Sequence, residues 1–331
     1  MTDRSILKRV FAFVLAAVLI VAFGCGKAAL DEKAAVSVSA GVTAGDSADG
    51  GERDYNIGIY SVDEATDESE SGSYASSNSN ENAILVQSAG VLTMTSADIN
   101  KTGDAEGNFF GLNAAVAVIS QGQLTLLDSN VTTNALGGYG LYVSGAGSVL
   151  TADKTYLSTA GDSSPALVAA EGGALAFTNG TVTTEGTDSP CVLLSGGSVS
   201  LAQETLFAKN SPLVRAVSGE NELSLDNMSL SDSPAIAADA TLILRLTNGA
   251  AFTGALGGEL PARSSVYLDE TSSLTLTGDT YLSVFANADV THQNVQSNGF
   301  YIYYDSNAPE NEYLSGQSYL LPGGGFLAPI I

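Results

Sequence analysis

The chain has 331 residues, 36 of them acidic and 12 basic, for a formal net charge of −24. So acidic a surface repels nucleic acid and anionic lipid headgroups, which excludes direct binding to either. One histidine and two cysteines exclude a zinc centre built on a His pair and a disulfide framework.

The first segment is a basic start (Arg4, Lys8, Arg9) followed by an unbroken apolar run from Val10 to Phe23. That run is shorter than the roughly 20 residues a membrane-spanning helix needs. A charged start, a short apolar middle and small residues beyond it predict a secretory signal peptide over 1–24. The junction Ala22-Phe23-Gly24-Cys25 resembles the lipobox of bacterial lipoprotein signals. The resemblance implies a lipid on the Cys25 thiol, cleavage before it, and a mature chain anchored to a membrane on the outer side.

Residues 25–81 are rich in Ser, Gly, Asp and Glu, with the run Asp63-Glu64-Ala65-Thr66-Asp67-Glu68-Ser69-Glu70. Such a segment buries too little apolar surface to offset its ordering entropy, so it reads as a solvated tether. Ile57-Gly58-Ile59-Tyr60 alternates enough for a first, irregular coil beginning near residue 54.

From Asn82 the chain repeats. Ser-Pro pairs begin at Ser164, Ser189, Ser211 and Ser233, spaced 25, 22 and 22. A parallel apolar set is Val131, Leu157, Val182, Leu206 and Met228. Abundant Gly, Val, Thr and Ser suit short strands and tight turns, and no stretch after the leader has helical periodicity. A coil of three short strands and three turns needs about this many residues. The reading is all-β: a right-handed parallel β-helix over 82–305, of nine or ten coils, with like residues stacked at about 4.8 Å. Phe300-Tyr301-Ile302-Tyr303-Tyr304 and the tail over 306–331 read as the cover of the C-terminal end.

At this point the chain resembles a group of bacterial secreted right-handed β-helix proteins. The resemblance is carried by Glu81-Asn82-Ala83-Ile84-Leu85-Val86 and by Lys101-Thr102-Gly103-Asp104. Phe110-Gly111-Leu112-Asn113-Ala114 and Thr159-Ala160-Gly161-Asp162-Ser163-Ser164-Pro165 extend it, as does Ser297-Asn298-Gly299-Phe300-Tyr301 near the end. More distantly the architecture is similar to polygalacturonate-binding β-helix proteins and pectate lyases. Those relatives imply carbohydrate contact, often through calcium, as an expectation at the level of the fold.

Candidate chemistry is sparse, and no catalytic residue is assigned. Arg215 could serve as the base of a lyase, although a solvated surface arginine is the simpler reading. Lone His292 has no adjacent acid pair, and Cys191 sits in an apolar stretch as a core residue. Asp104, Asp162, Asp188 and Asp232 each precede a strand; stacked in register they would repel, and Ca²⁺ between neighbours would relieve the repulsion. Ordinary turn chemistry explains the same residues. The insertion carries two acids, an amide and two aromatics in Asp104, Glu106, Asn108, Phe109 and Phe110, the groups a sugar-binding loop uses. The expected function is a lipid-anchored surface protein that binds carbohydrate or mediates adhesion without catalysis. A structural envelope protein and a pectate-lyase-like enzyme are the alternatives.

Overall fold

Alternating apolar residues make the strands, and one left-handed residue makes the corners. The computed structural model describes residues 57–106, 113–257 and 263–330, all within the unit Ser47–Ile331. Coil 1 contains strands Gly58–Asp63, Thr66–Glu70 and Ser73–Ser76. Coil 2 repeats them as Asn82–Gln87, Val91–Thr95 and Asp98–Lys101, and coil 3 as Ala114–Val118, Gln123–Leu127 and Asn130–Thr133. Coil 4 has Tyr139–Ser144, Val149–Asp153 and Tyr156–Thr159; coil 5 has Leu167–Ala170, Ala174–Thr178 and Thr181–Thr187. Coil 6 has Val192–Ser195, Ser198–Ala202 and Thr205–Asn210.

The turn from second to third strand holds one non-glycine residue at positive φ in each of these six coils: Ser71, Ser96, Asp128, Lys154, Asn179 and Gln203. A single residue in this region redirects the backbone sharply. The next residue then points inward, where the corner is narrow; Ala97, Ser129 and Thr155 fill it.

Through coil 6 each strand pairs in parallel with its copy in the preceding coil, and the first two sheets carry this pairing on into coil 7. On the second sheet Leu92 lies over Leu124, then Leu150, Leu175, Val199, Leu223, Leu244, Val266 and Phe285. All nine are buried, and each such side chain stabilises the fold by about 1.5–3 kcal/mol relative to exposure. The third sheet stacks Ile99, Val131, Leu157, Val182 and Leu206, which bears out the apolar spacing through Leu206. Met228 is not the next member. It occupies the inner corner, and Leu230, paired with Phe252, holds the strand position.

The molecule is therefore an all-β parallel solenoid of about eleven turns. It changes character after coil 6. In coil 7 the first two strands fuse into one, Val214–Asp226, which pairs across both sheets; Ser229–Ser231 follows. The third sheet breaks here: six strands end at Thr205–Asn210, and a separate four-stranded sheet begins at Ser229–Ser231.

Both ends are finished with polar or aromatic groups. In coil 1 the inward positions include Tyr60, Val62, Asp67, Ser69 and Tyr74, over Ile84, Val86, Leu92, Met94 and Ile99. The Tyr60 hydroxyl donates to Asp67, and Tyr74 shares a 2.5 Å hydrogen bond with Ser69. The two rings lie 5.2 Å apart across the core. The acidic run at 63–70, read from sequence as solvated, supplies the end of one strand and the whole of the next. At the other end Tyr304 is buried and donates to the Gln317 carbonyl at 2.8 Å. Phe326–Pro329 pairs in parallel with Ile302–Tyr304 and antiparallel with Tyr319–Leu320.

Candidate functional site

The four corner carboxylates are engaged singly, each with an adjoining coil. Asp104 accepts the Leu136 N–H at 2.8 Å, and Asp162 accepts the Thr187 N–H at 2.7 Å. Asp232 accepts the Leu213 and Ser233 N–H groups at 2.6 and 2.8 Å. Asp188 takes Arg215 Nη1 at 2.5 Å, so Arg215 is an ion-paired strand residue. Backbone donation from Thr187 holds the Asp162 carboxyl below its ordinary range. Among the described residues no three histidine, cysteine or carboxylate groups converge as metal ligands.

Beside these acids runs a serine column, buried at Ser164 and Ser189 and half-buried at Ser211, which explains the Ser-Pro spacing as far as Ser211. Ser164 Oγ accepts the Gly138 N–H at 3.0 Å, Ser189 Oγ the Ser164 N–H at 2.9 Å, and Ser211 Oγ the Ser189 N–H at 2.6 Å. A hydroxyl at the corner satisfies a donor that would otherwise be buried unpaired, and the proline that follows adds no further donor.

The insertion begins at this same corner, in the turn between coils 2 and 3. Asp104 and Glu106 lie there; Asn108, Phe109 and Phe110 lie outside the described residues. The Glu106 backbone N–H donates to Asn80 Oδ1 at 2.9 Å, and its carboxylate accepts Ser79 Oγ at 3.3 Å. Asn113 fixes the same loop, donating to the Gly103 carbonyl and accepting the Asn80 N–H. Beneath it Lys101 is fully buried and donates to the Asn78 carbonyl at 2.6 Å. Burial pulls its ammonium down to about 8, against the opposing pull of Glu81 and Asp104. From the sequence Lys101 stood out only in the stretch Lys101-Thr102-Gly103-Asp104. Its inward place follows from sharing the parity of Ile99 on the strand Asp98–Lys101.

Two surfaces are richer in apolar groups. The outward face of the first sheet stacks Leu85, Ala117, Tyr142, Val168 and Leu193, all buried, and ends at Arg215. These residues form a cluster separate from the main core. The sequence signal was present: Ala114–Val118 and Leu167–Ala170 are continuous apolar runs, the mark of a strand covered on both sides. Near the C-terminal end Tyr281, Tyr303, Tyr301 and Phe326 stack in sequence, with centroids 4.8, 5.7 and 5.7 Å apart. Rings stacked on one another cover each other's faces. The row is built to hold the last coils together, and it leaves few faces for a sugar.

The remaining titratable groups are structural. His292 is buried between Phe285 and Tyr319, and burial lowers its pKa despite Asp289. The Cys191 thiol is buried, which pushes it up to about 12 and makes it inert as a nucleophile. Glu204 is the exception: both carboxylate oxygens are shielded and lack a hydrogen-bond partner, and burial raises it to about 8. Comparison with protein-family models, curated proteins and solved structures gives no match.

Proposed function

We propose that this protein is an exported, lipid-anchored surface solenoid that works by binding, with no chemistry of its own. The observation that carries the reading is how the ionisable groups are used. Each corner carboxylate is hydrogen-bonded or ion-paired to an adjoining coil. Lys101, His292 and Cys191 are buried in structural roles. A body built this way is a rigid rod of about 50 Å at about 4.8 Å per coil. Rigidity and length suit display above a membrane, and a lipid on Cys25, directly after the basic and apolar leader over 1–24, supplies the anchor. Carbohydrate or another cell-surface polymer is the ligand class, in keeping with the resemblance to polysaccharide-binding β-helices.

Two measurements test the reading. Metabolic labelling with a palmitate analogue is expected to mark the protein, and Cys25→Ala to abolish the mark and release the chain from membranes. The mature chain, screened on a glycan array with and without calcium, is expected to be retained on at least one polymer. Loss of membrane association without loss of glycan retention separates anchor from ligand. Retention on no polymer would leave the envelope-scaffold alternative standing in its place.

A further inference from the structure

The break in the third sheet leaves a strand half-used. Thr205–Asn210 pairs with Thr181–Thr187 on one edge, and its other edge has no strand partner among the described residues. The third side also shortens abruptly: seven residues in Thr181–Thr187, six in Thr205–Asn210, three in Ser229–Ser231. The end of Thr205–Asn210 therefore overhangs coil 7. Its inward residues reflect this. Val131, Leu157 and Val182 are fully buried in earlier coils, whereas Leu206 and Ala208 are only partly so, and outward Phe207 is 56% exposed.

We propose that this ledge is a docking site for one extended peptide strand, added in parallel to the free edge of Thr205–Asn210. Only a polypeptide backbone offers N–H and C=O groups at the spacing a strand edge requires. The site admits a single strand, because the first and second sheets continue directly from coil 6 into coil 7 and block a folded neighbour. The occupied edge shows what the strand recognises. There Val182 stands beside Leu206, Thr184 beside Ala208, and Glu185 lies 3.9 Å from Lys209. That pair is solvent-exposed, so Lys209 remains open to a second carboxylate. The fitting partner is an extended segment with β-branched residues at alternate positions and a carboxylate opposite Lys209.

The test uses a fluorescein-labelled peptide copying residues 180–188, with the mature chain as receptor. The expected result is saturable binding by anisotropy, at least tenfold weaker when proline replaces the residue matching Thr183. Lys209→Glu is expected to weaken binding at least fivefold, and a peptide carrying lysine in place of its glutamate to restore it. That rescue cannot come from a misfolded receptor. No saturable binding to folded protein, or binding indifferent to the charge exchange, overturns the proposal. This result is independent of the anchor and glycan measurements, so the readings fail separately.

Discussion

The first and second sheets of the solenoid are made by the same coils yet solve different problems. The second sheet alternates, with inward Leu150, Leu175 and Val199 buried and outward Thr151, Ala176 and Ser200 partly exposed. The first sheet in coils 2 to 5 is buried on both sides, and Leu85 and Val168 on its outer face are fully shielded. One wall of the rod is finished against water, whereas the outer face of the other is apolar and shielded. An apolar outer wall on an acidic protein is the place where shielding, if lost, would matter most.

The sharpest break in that comparison is a matched pair of substitutions. Val168→Asp places a carboxylate in the outer cluster, and unfolding by denaturant is expected to show a loss of about 3–5 kcal/mol. Ala176→Asp, on the outer face of the second sheet, is expected to change stability by about 0.5 kcal/mol or less. Equal, small effects would mean that the outer wall of the first sheet is open in solution.

Glu204 is next in size. Its folded pKa is raised from 4.5 to about 8, so folding favours the neutral acid. Its contribution is undiminished below the unfolded value, and stability falls as pH rises between roughly 4.5 and 8. Glu204→Met, matching Met228 in the next coil, is expected to stabilise by about 2 kcal/mol at pH 9 and much less at pH 4. A gain independent of pH would show that packing, not desolvation of the charge, decides this corner.

Ser189→Ala removes one rung of the serine column and leaves the Ser164 N–H unpaired, at a loss of about 1–2 kcal/mol by denaturant midpoint. His292 gives the smallest effect. Its folded pKa lies below 6.5, so its contribution is full above 6.5 and is lost as pH falls through the folded value. Mild acid should loosen the contact with Tyr319 first. Hydrogen-exchange protection factors over residues 309–330, corrected for the slower intrinsic exchange in acid, that do not fall between pH 7 and pH 5 would remove His292 from that role.

Coil 1 marks where the sequence was hardest to read. Its first strand is signalled by the alternation at Ile57 to Tyr60, but the inward positions of the next two carry Asp67, Ser69 and Tyr74, and Thr66–Glu70 has no apolar parity to reveal it. The residues are polar because this coil ends the core, and a phenol hydroxyl bonded to Asp67 or Ser69 closes it better than another leucine would. Met228 misled because it puts a large apolar side chain at the inward corner that Ala97, Ser129 and Thr155 fill in earlier coils, two residues before the strand position at Leu230.

What the residues determined alone was the repeat: small turn residues at fixed intervals, apolar side chains of one parity between them, and hence parallel strands winding on one axis. Period and parity are local properties of an extended chain, so they survive in one dimension. Which acids would meet which donors was settled only in three dimensions. Asp162 and Thr187 are 25 residues apart and 2.7 Å from oxygen to nitrogen. The same holds for the solitary burial of Glu204, the covered wall of the first sheet and the unpaired edge at Thr205–Asn210. Each depends on which residues neighbouring coils set against one another, which has meaning only once the coils are stacked.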